Sequence, residues 1–160
     1  MAFRTFTEKE AGKLEELASS FRERVMPVID KINSLCRDED CSVHIISGYR
    51  SSKKQEQLYR KGRKFHNGRW RRTGDPVVTH AKPGHSAHEY RLAVDIALLN
   101  DSNRHWIDNV DERWHTIVGN AVVAAKLTWG GNFSNLFDAA HIEDPGWREV
   151  AGELGWRGLQ

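Results

Sequence analysis

Apolar and polar positions alternate with two different periods along this chain. Leu14, Leu17, Phe21, Val25, Val28, Ile29 and Ile32 recur every three or four positions, the stripe of an amphipathic helix. Thr7-Glu8-Lys9-Glu10 has capping-box spacing, with Thr7 as N-cap and Glu10 reaching back to it. The first forty residues therefore read as helix, kinked or broken at Pro27, whose ring removes a backbone donor. Ser42 to Ser47 is a short β-branched run ended by Gly48 and reads as a strand. A second helix opens at Ser51, with Leu58 and Tyr59 on its inner face. From Lys61 to His85 the chain is Gly-, Arg- and Pro-rich, which predicts a long loop excursion. Leu92 to Leu98 is the second clear strand, and Asp111 to Lys126 returns to helical period through Trp114, Ile117, Val118 and Val122. Thr128-Trp129 and Ala140 to Glu143 read as short strands separated by a Gly130-Gly131 turn, and Trp147 to Leu154 as a last helix. Strands scattered among helices without regular alternation imply an α+β fold: a small antiparallel sheet packed with helices.

Bulk properties narrow the picture further. A chain of 160 residues fits one domain, residues 1–160, without a separate wall-binding module. No run approaches 18 uncharged apolar residues, so no membrane span is expected. Met1 to Thr7 lacks an apolar core and a small-residue cleavage site, which predicts synthesis in the cytoplasm without a secretory signal. Cys36 and Cys41 are too few for a disulfide framework and lack a fourth partner for a metal site beside His44. The net charge of +2 names no partner, but residues 60–72 hold seven cations and no acid. That run is either a patch for an anionic polymer (wall polymer, lipopolysaccharide or nucleic acid) or a solvated loop.

The candidate chemistry lies in two segments. His88 stands just before the Leu92–Leu98 strand and Asp95 within it, where a carboxylate is costly to bury without a cation or hydrogen bonds. Asp138-Ala139-Ala140-His141-Ile142-Glu143 repeats the logic, with His141 and Glu143 on one strand face and Ile142 opposed. Two imidazoles and one carboxylate leave a fourth position on zinc for water, the pattern of a catalytic site. Either segment alone reads better as a core histidine beside a helix cap than as a metal site.

Taken together, S-x-H-x(6)-D at Ser86 to Asp95 and D-x-x-H at Asp138 to His141 resemble the LAS-type metallopeptidases. That group contains D-alanyl-D-alanine carboxypeptidases and phage L-alanyl-D-glutamate endopeptidases. Ser47-Gly48-Tyr49-Arg50-Ser51 with Gln55 and Leu58-Tyr59, Val78-Thr79 through Pro83-Gly84, and Trp129 to Phe133 match in order. The resemblance implies one zinc ion on His88, Asp95 and His141, with Asp138 as general base; Glu143, which shares a strand face with His141, is the rival base. It implies further that Arg50 binds substrate or steadies the oxyanion, and that Gln55 and Ser86 line the substrate side. The metallopeptidase helix motif H-E-x-x-H is absent. Arg91 stands where the family usually has Gly, and His85 is an unusual neighbour of the ligand segment.

The implied activity is zinc-dependent cleavage of peptidoglycan, with the stem peptide as partner. A phage endolysin, monomeric and released to the wall through a membrane lesion, fits the small domain and the basic run. The alternatives are a D-alanyl-D-alanine carboxypeptidase, or a non-catalytic basic module that binds wall polymer or nucleic acid.

Overall fold

The computed structural model describes residues 4–159. Met1 to Phe3, on which part of the signal-peptide reading rests, lie outside the described residues. The element order is α1 (Glu8–Glu15), α2 (Ser19–Asp38), β1 (Cys41–Ser47), α3 (Ser52–Arg60), β2 (Arg63–His66), β3 (Arg69–Arg72), β4 (Ala93–Asn100), α4 (Asn120–Ala124), β5 (Thr128–Trp129), β6 (His141–Glu143) and α5 (Trp147–Glu153). Four strands form an antiparallel sheet in the order β1-β4-β6-β5, so the fold is α+β as expected.

The sheet has two chemically different faces. Val43 pairs with Leu98, Ile45 with Ile96 and Val94 with Ile142, and paired residues share a face. These six are buried in one cluster with Phe21, Val25, Ile29 and Ile32 of α2, so the helical stripe covers the apolar face. Each such side chain contributes roughly 1.5–3 kcal/mol relative to exposure. Asp95 pairs with His141, and Ala93 with Glu143, which places the polar residues together on the other face. The apolar face holds the fold, and the polar face is free for chemistry.

The capping box at Thr7 forms as read. Glu10 N donates to Thr7 Oγ1 at 3.2 Å and Thr7 N to Glu10 Oε2 at 2.9 Å. Glu10 does more than cap: it pairs with Arg4 at 2.8 Å and accepts the Ile45 N–H at 3.0 Å, tying α1 to β1. Burial alone would raise its pKa, but these bonds outweigh that and hold it at about 2.

Two local expectations are corrected. The helix does not break at Pro27, which sits inside α2; the break falls at Glu16 to Ala18. Pro27 and Glu23, whose carbonyl the proline cannot serve, are both exposed, so the missing bond lies on the solvent side of the helix where it costs least. The excursion from Lys61 to His85 is not all loop, because β2 and β3 pair as a hairpin. Asn67 and Gly68 both take positive φ, 48° and 76°, the requirement of a two-residue turn whose twist suits a hairpin. The helix expected from Asp111 to Lys126 forms as a wide π-type segment, Trp114–Gly119, running into the short α4. No helix of the described residues is long and apolar enough to cross a membrane.

Candidate active site

His88 rides on a single 3-10 turn, Ala87–Tyr90, immediately before β4. Its Nδ1 lies 2.7 Å from the Gly48 carbonyl, so Nδ1 carries the proton and donates. That fixes the ring and turns Nε2 towards Asp95, 3.2 Å away. From β6, His141 turns Nδ1 towards Asp95 Oδ1 at 3.0 Å, while its Nε2 is held by Glu143 Oε2 at 2.8 Å. One ligand atom from each of His88, Asp95 and His141 lies within 4.8 Å of the others. The expected metal trio is thus brought together, with each imidazole oriented from behind by an acceptor.

The electrostatics of this cluster call for a cation. Burial works against a charge on His141, but its bonds to Asp95 and Glu143 prevail and push its pKa up to about 10. Asp95 is likewise opposed by burial yet held far below the usual carboxylate range by His88 and His141. Without an ion, a proton on His141 supplies the positive charge that the carboxylates demand. Two nitrogen donors and one oxygen donor, preset in orientation, suit a zinc-like ion with one coordination position left open.

Asp138 enters the same cleft from the loop before β6. Its backbone is pinned by Asp138 N to Gly130 O at 3.1 Å and by His141 N to Asp138 O at 3.2 Å. A Cβ on Gly130 would lie 2.3 Å from the Asp138 carbonyl oxygen, so only glycine lets the loop approach this closely. Burial, then the nearby Asp95 charge, raises the Asp138 pKa. The cleft, with a volume of about 650 Å³, is lined on its chemical side by Arg50, His88, Asp95, Asp138, His141 and Ser86. Arg50 Nη2 stands 3.6 Å from Asp95 Oδ2.

Several residues take places that the sequence reading did not assign. Gln55, expected at the substrate, is fully buried behind Arg50 rather than on the cleft wall. It accepts from Arg50 Nη1 at 2.9 Å and donates to the Ala81 carbonyl at 2.7 Å, so it braces the guanidinium. Glu143 is engaged on both oxygens, by His141 and by Trp147 Nε1 at 3.0 Å, which makes it an orienting group. His85 stacks on Trp156 with centroids 4.8 Å apart and stands outside the metal trio. Arg91 has the left-handed backbone suited to glycine, φ 62° and ψ 27°. Its guanidinium donates to the Glu16 carbonyl at 2.8 Å and covers Tyr49 at 4.4 Å, and its own carbonyl accepts from Ala18 N at 2.9 Å. Arg91 therefore stitches the α1–α2 break to the metal segment.

One support went unread. Glu89 is fully buried and accepts the N–H groups of Gly84 at 2.8 Å and Ser86 at 3.1 Å, fixing the turn that carries His88. The Ser86-Ala87-His88-Glu89 spacing, a second capping-box pattern, was its signal.

Comparison with known proteins places this geometry. Residues 18–123 match the VanY family, described as D-alanyl-D-alanine carboxypeptidase. That span contains His88 and Asp95 but ends before Asp138 and His141. The chain is 31% identical over 121 residues to the peptidoglycan L-alanyl-D-glutamate endopeptidase CwlK of Bacillus subtilis (strain 168), covering 71% of this chain and 67% of that protein. In fold it resembles the crystal structure of the Serratia marcescens L-Ala D-Glu endopeptidase ChiX, with TM-score 0.53, 18% identity, and coverage of 93% of this chain and 95% of that one. A looser likeness, TM-score 0.47 at 16% identity over 86% of this chain and 77% of the other, links it to a vancomycin-resistance D,D-pentapeptidase VanY in complex with Zn(II). The chain belongs to the VanY family of D-alanyl-D-alanine carboxypeptidases, and so to the LAS-type zinc peptidases that act on peptidoglycan.

Proposed function

We propose that this chain is a zinc-dependent endopeptidase that cuts the L-alanyl-D-glutamate bond of the peptidoglycan stem peptide. The observation that carries the reading is the meeting of His88, Asp95, His141, Asp138 and Arg50 at one cleft. Zinc held by the trio would supply Lewis acidity, polarising the scissile carbonyl and acidifying water. The chain's own groups do the rest. Asp138 takes the proton of the attacking water and passes it to the leaving amine, a role that its raised pKa suits. Arg50, held by Gln55, faces the negative charge that develops on the carbonyl oxygen. Glu143 keeps the His141 ring aligned, and Ser86 offers the stem peptide a polar edge on the cleft wall.

The choice of bond rests on the likeness to CwlK, whose name specifies it. The family description favours a second reading, removal of a terminal D-alanine. Mass spectrometry of muropeptides after digestion separates the two. Release of the stem from its L-alanine supports the endopeptidase, and loss of one terminal alanine supports the carboxypeptidase. Unchanged muropeptides with zinc bound would leave the non-catalytic alternative.

We also read the chain as the lytic enzyme of a bacteriophage, on its resemblance to the LAS group, which includes phage L-alanyl-D-glutamate endopeptidases. Cells expressing it should lose turbidity when their membrane is permeabilised. Stable turbidity, with active enzyme recovered from the same cells, would remove the lytic reading.

A further inference from the structure

The basic run from Arg60 to Arg72 is divided by the β2–β3 hairpin into two unlike faces. Arg63 pairs with Arg72 and Phe65 with Trp70 on one; Lys64 pairs with Arg71 and His66 with Arg69 on the other. The first face is rooted to the body. Arg63 donates to the carbonyls of Tyr59 at 2.6 Å and Thr79 at 2.9 Å, and its guanidinium lies 4.1 Å over the Tyr59 ring. Trp70 packs edge-on against Tyr59 and Phe65, with centroids 6.1 Å and 5.3 Å apart.

The second face points to water. Lys64, His66, Arg69 and Arg71 are all exposed, and none has an ion-pair partner among the described residues. Folding alone does not favour this arrangement, because like charges directly across a ladder destabilise it. An anion lying on the face turns that repulsion into attraction.

We propose that this face binds a phosphodiester-linked anionic polymer of the cell wall. The hairpin would seat the enzyme on the wall while the cleft works on a stem peptide, and the inference rests on the peptidoglycan reading above. Thr79 joins the two places, since it lines the cleft and receives the Arg63 bond. Successive residues on one strand face lie about 6.6 Å apart, so the cations form a dense cluster suited to closely spaced phosphates. Guanidinium forks also match phosphate oxygens two at a time. Single-stranded nucleic acid is disfavoured because its bases need aromatic platforms beside the cations, whereas Phe65, though exposed, and Trp70, packed on Tyr59, both lie on the opposite face.

Co-sedimentation with purified walls tests this, using intact walls and walls stripped of phosphodiesters by hydrofluoric acid. Exposed charge pairs are individually weak, so losing three should weaken binding roughly tenfold. The wild-type protein should show that loss on stripped walls. A triple variant, Lys64→Ala with Arg69→Ala and Arg71→Ala, should bind both walls equally weakly and cleave a soluble muropeptide at the wild-type rate. With about three phosphates neutralised, wild-type binding to intact walls should fall roughly twenty- to fortyfold between about 50 and 200 mM salt. Equal wild-type binding to intact and stripped walls would overturn the proposal, as would wild-type affinity in the triple variant. Displacement from intact walls by single-stranded DNA at lower phosphate concentration than by soluble wall polymer would overturn it in favour of nucleic acid. The predicted binding pattern in a protein that cleaves no muropeptide would support this face while removing the peptidase reading alone.

Discussion

Replacing Glu143 by Gln and Asp138 by Asn should damage two different properties, although both changes merely neutralise a carboxylate in one cleft. Glu143 uses Oε2 on His141 and Oε1 on Trp147 Nε1, both of them donors. A carboxamide can accept at only one end, so one buried donor in Glu143→Gln faces an amide N–H. An unsatisfied buried donor costs about 1–3 kcal/mol, and loss of a ligand's orienting partner weakens metal binding about 10–100-fold. Asp138→Asn leaves the ligands and their partners intact but removes the proton acceptor, for a fall in turnover of about 10²–10⁴. Zinc affinity is read by competition with a chromogenic chelator, and turnover on a soluble muropeptide with zinc in excess. Excess zinc should largely restore Glu143→Gln and should not restore Asp138→Asn. Wild-type zinc affinity with lost turnover in Glu143→Gln, beside an active Asp138→Asn, would refute the assignment and make Glu143 the base.

Three further outcomes follow from contacts away from the metal. Arg91→Gly relieves a left-handed backbone worth about 1–2 kcal/mol but loses the bond to Glu16 and the cover on Tyr49, of similar sum. Thermal stability should therefore change by no more than about 1 kcal/mol with turnover intact, and a large gain would show those contacts to be idle. Gln55→Leu removes the Arg50 brace, so kcat/KM should fall about tenfold with zinc unchanged; a silent variant would show that Arg50 positions itself. Glu10 has a folded pKa of about 2 against an ordinary 4.5, so its stabilisation is present above the unfolded value and lost as pH falls through 2. Glu10→Gln should thus be less stable than wild type by about 1–3 kcal/mol near neutrality, allowing for screening, with the gap closing between about pH 5 and 2. A gap independent of pH in denaturant titrations would contradict this.

What could be read from the sequence was what has a short-range cause. The Thr7 cap, the strands around Val43 and Val94, and the polar residues placed on one face of β4 and β6 all follow from spacing and period. Asp95 stood out because a carboxylate on an apolar strand demands compensation. The β2–β3 hairpin was missed although Asn67-Gly68 is a strong turn signal. Its flanks alternate cation with aromatic or cation, so no apolar face betrayed the strands. The helix break was sought at Pro27, where exposure excuses the missing donor, and fell instead where Arg91 reaches in from a distant segment. Gln55 and Glu143 show the same limit. Their residue types suited the site, but whether each faces substrate or supports a neighbour depends on contacts between elements far apart in the chain.

The most direct test of the account is zinc content, measured by atomic spectroscopy on protein purified without chelators. The wild-type chain should carry one equivalent, and His88→Ala, Asp95→Ala and His141→Ala should each fall well below it. Stoichiometric zinc retained in all three variants, or none in the wild type at any zinc supply, would contradict the metal centre on which the whole reading turns.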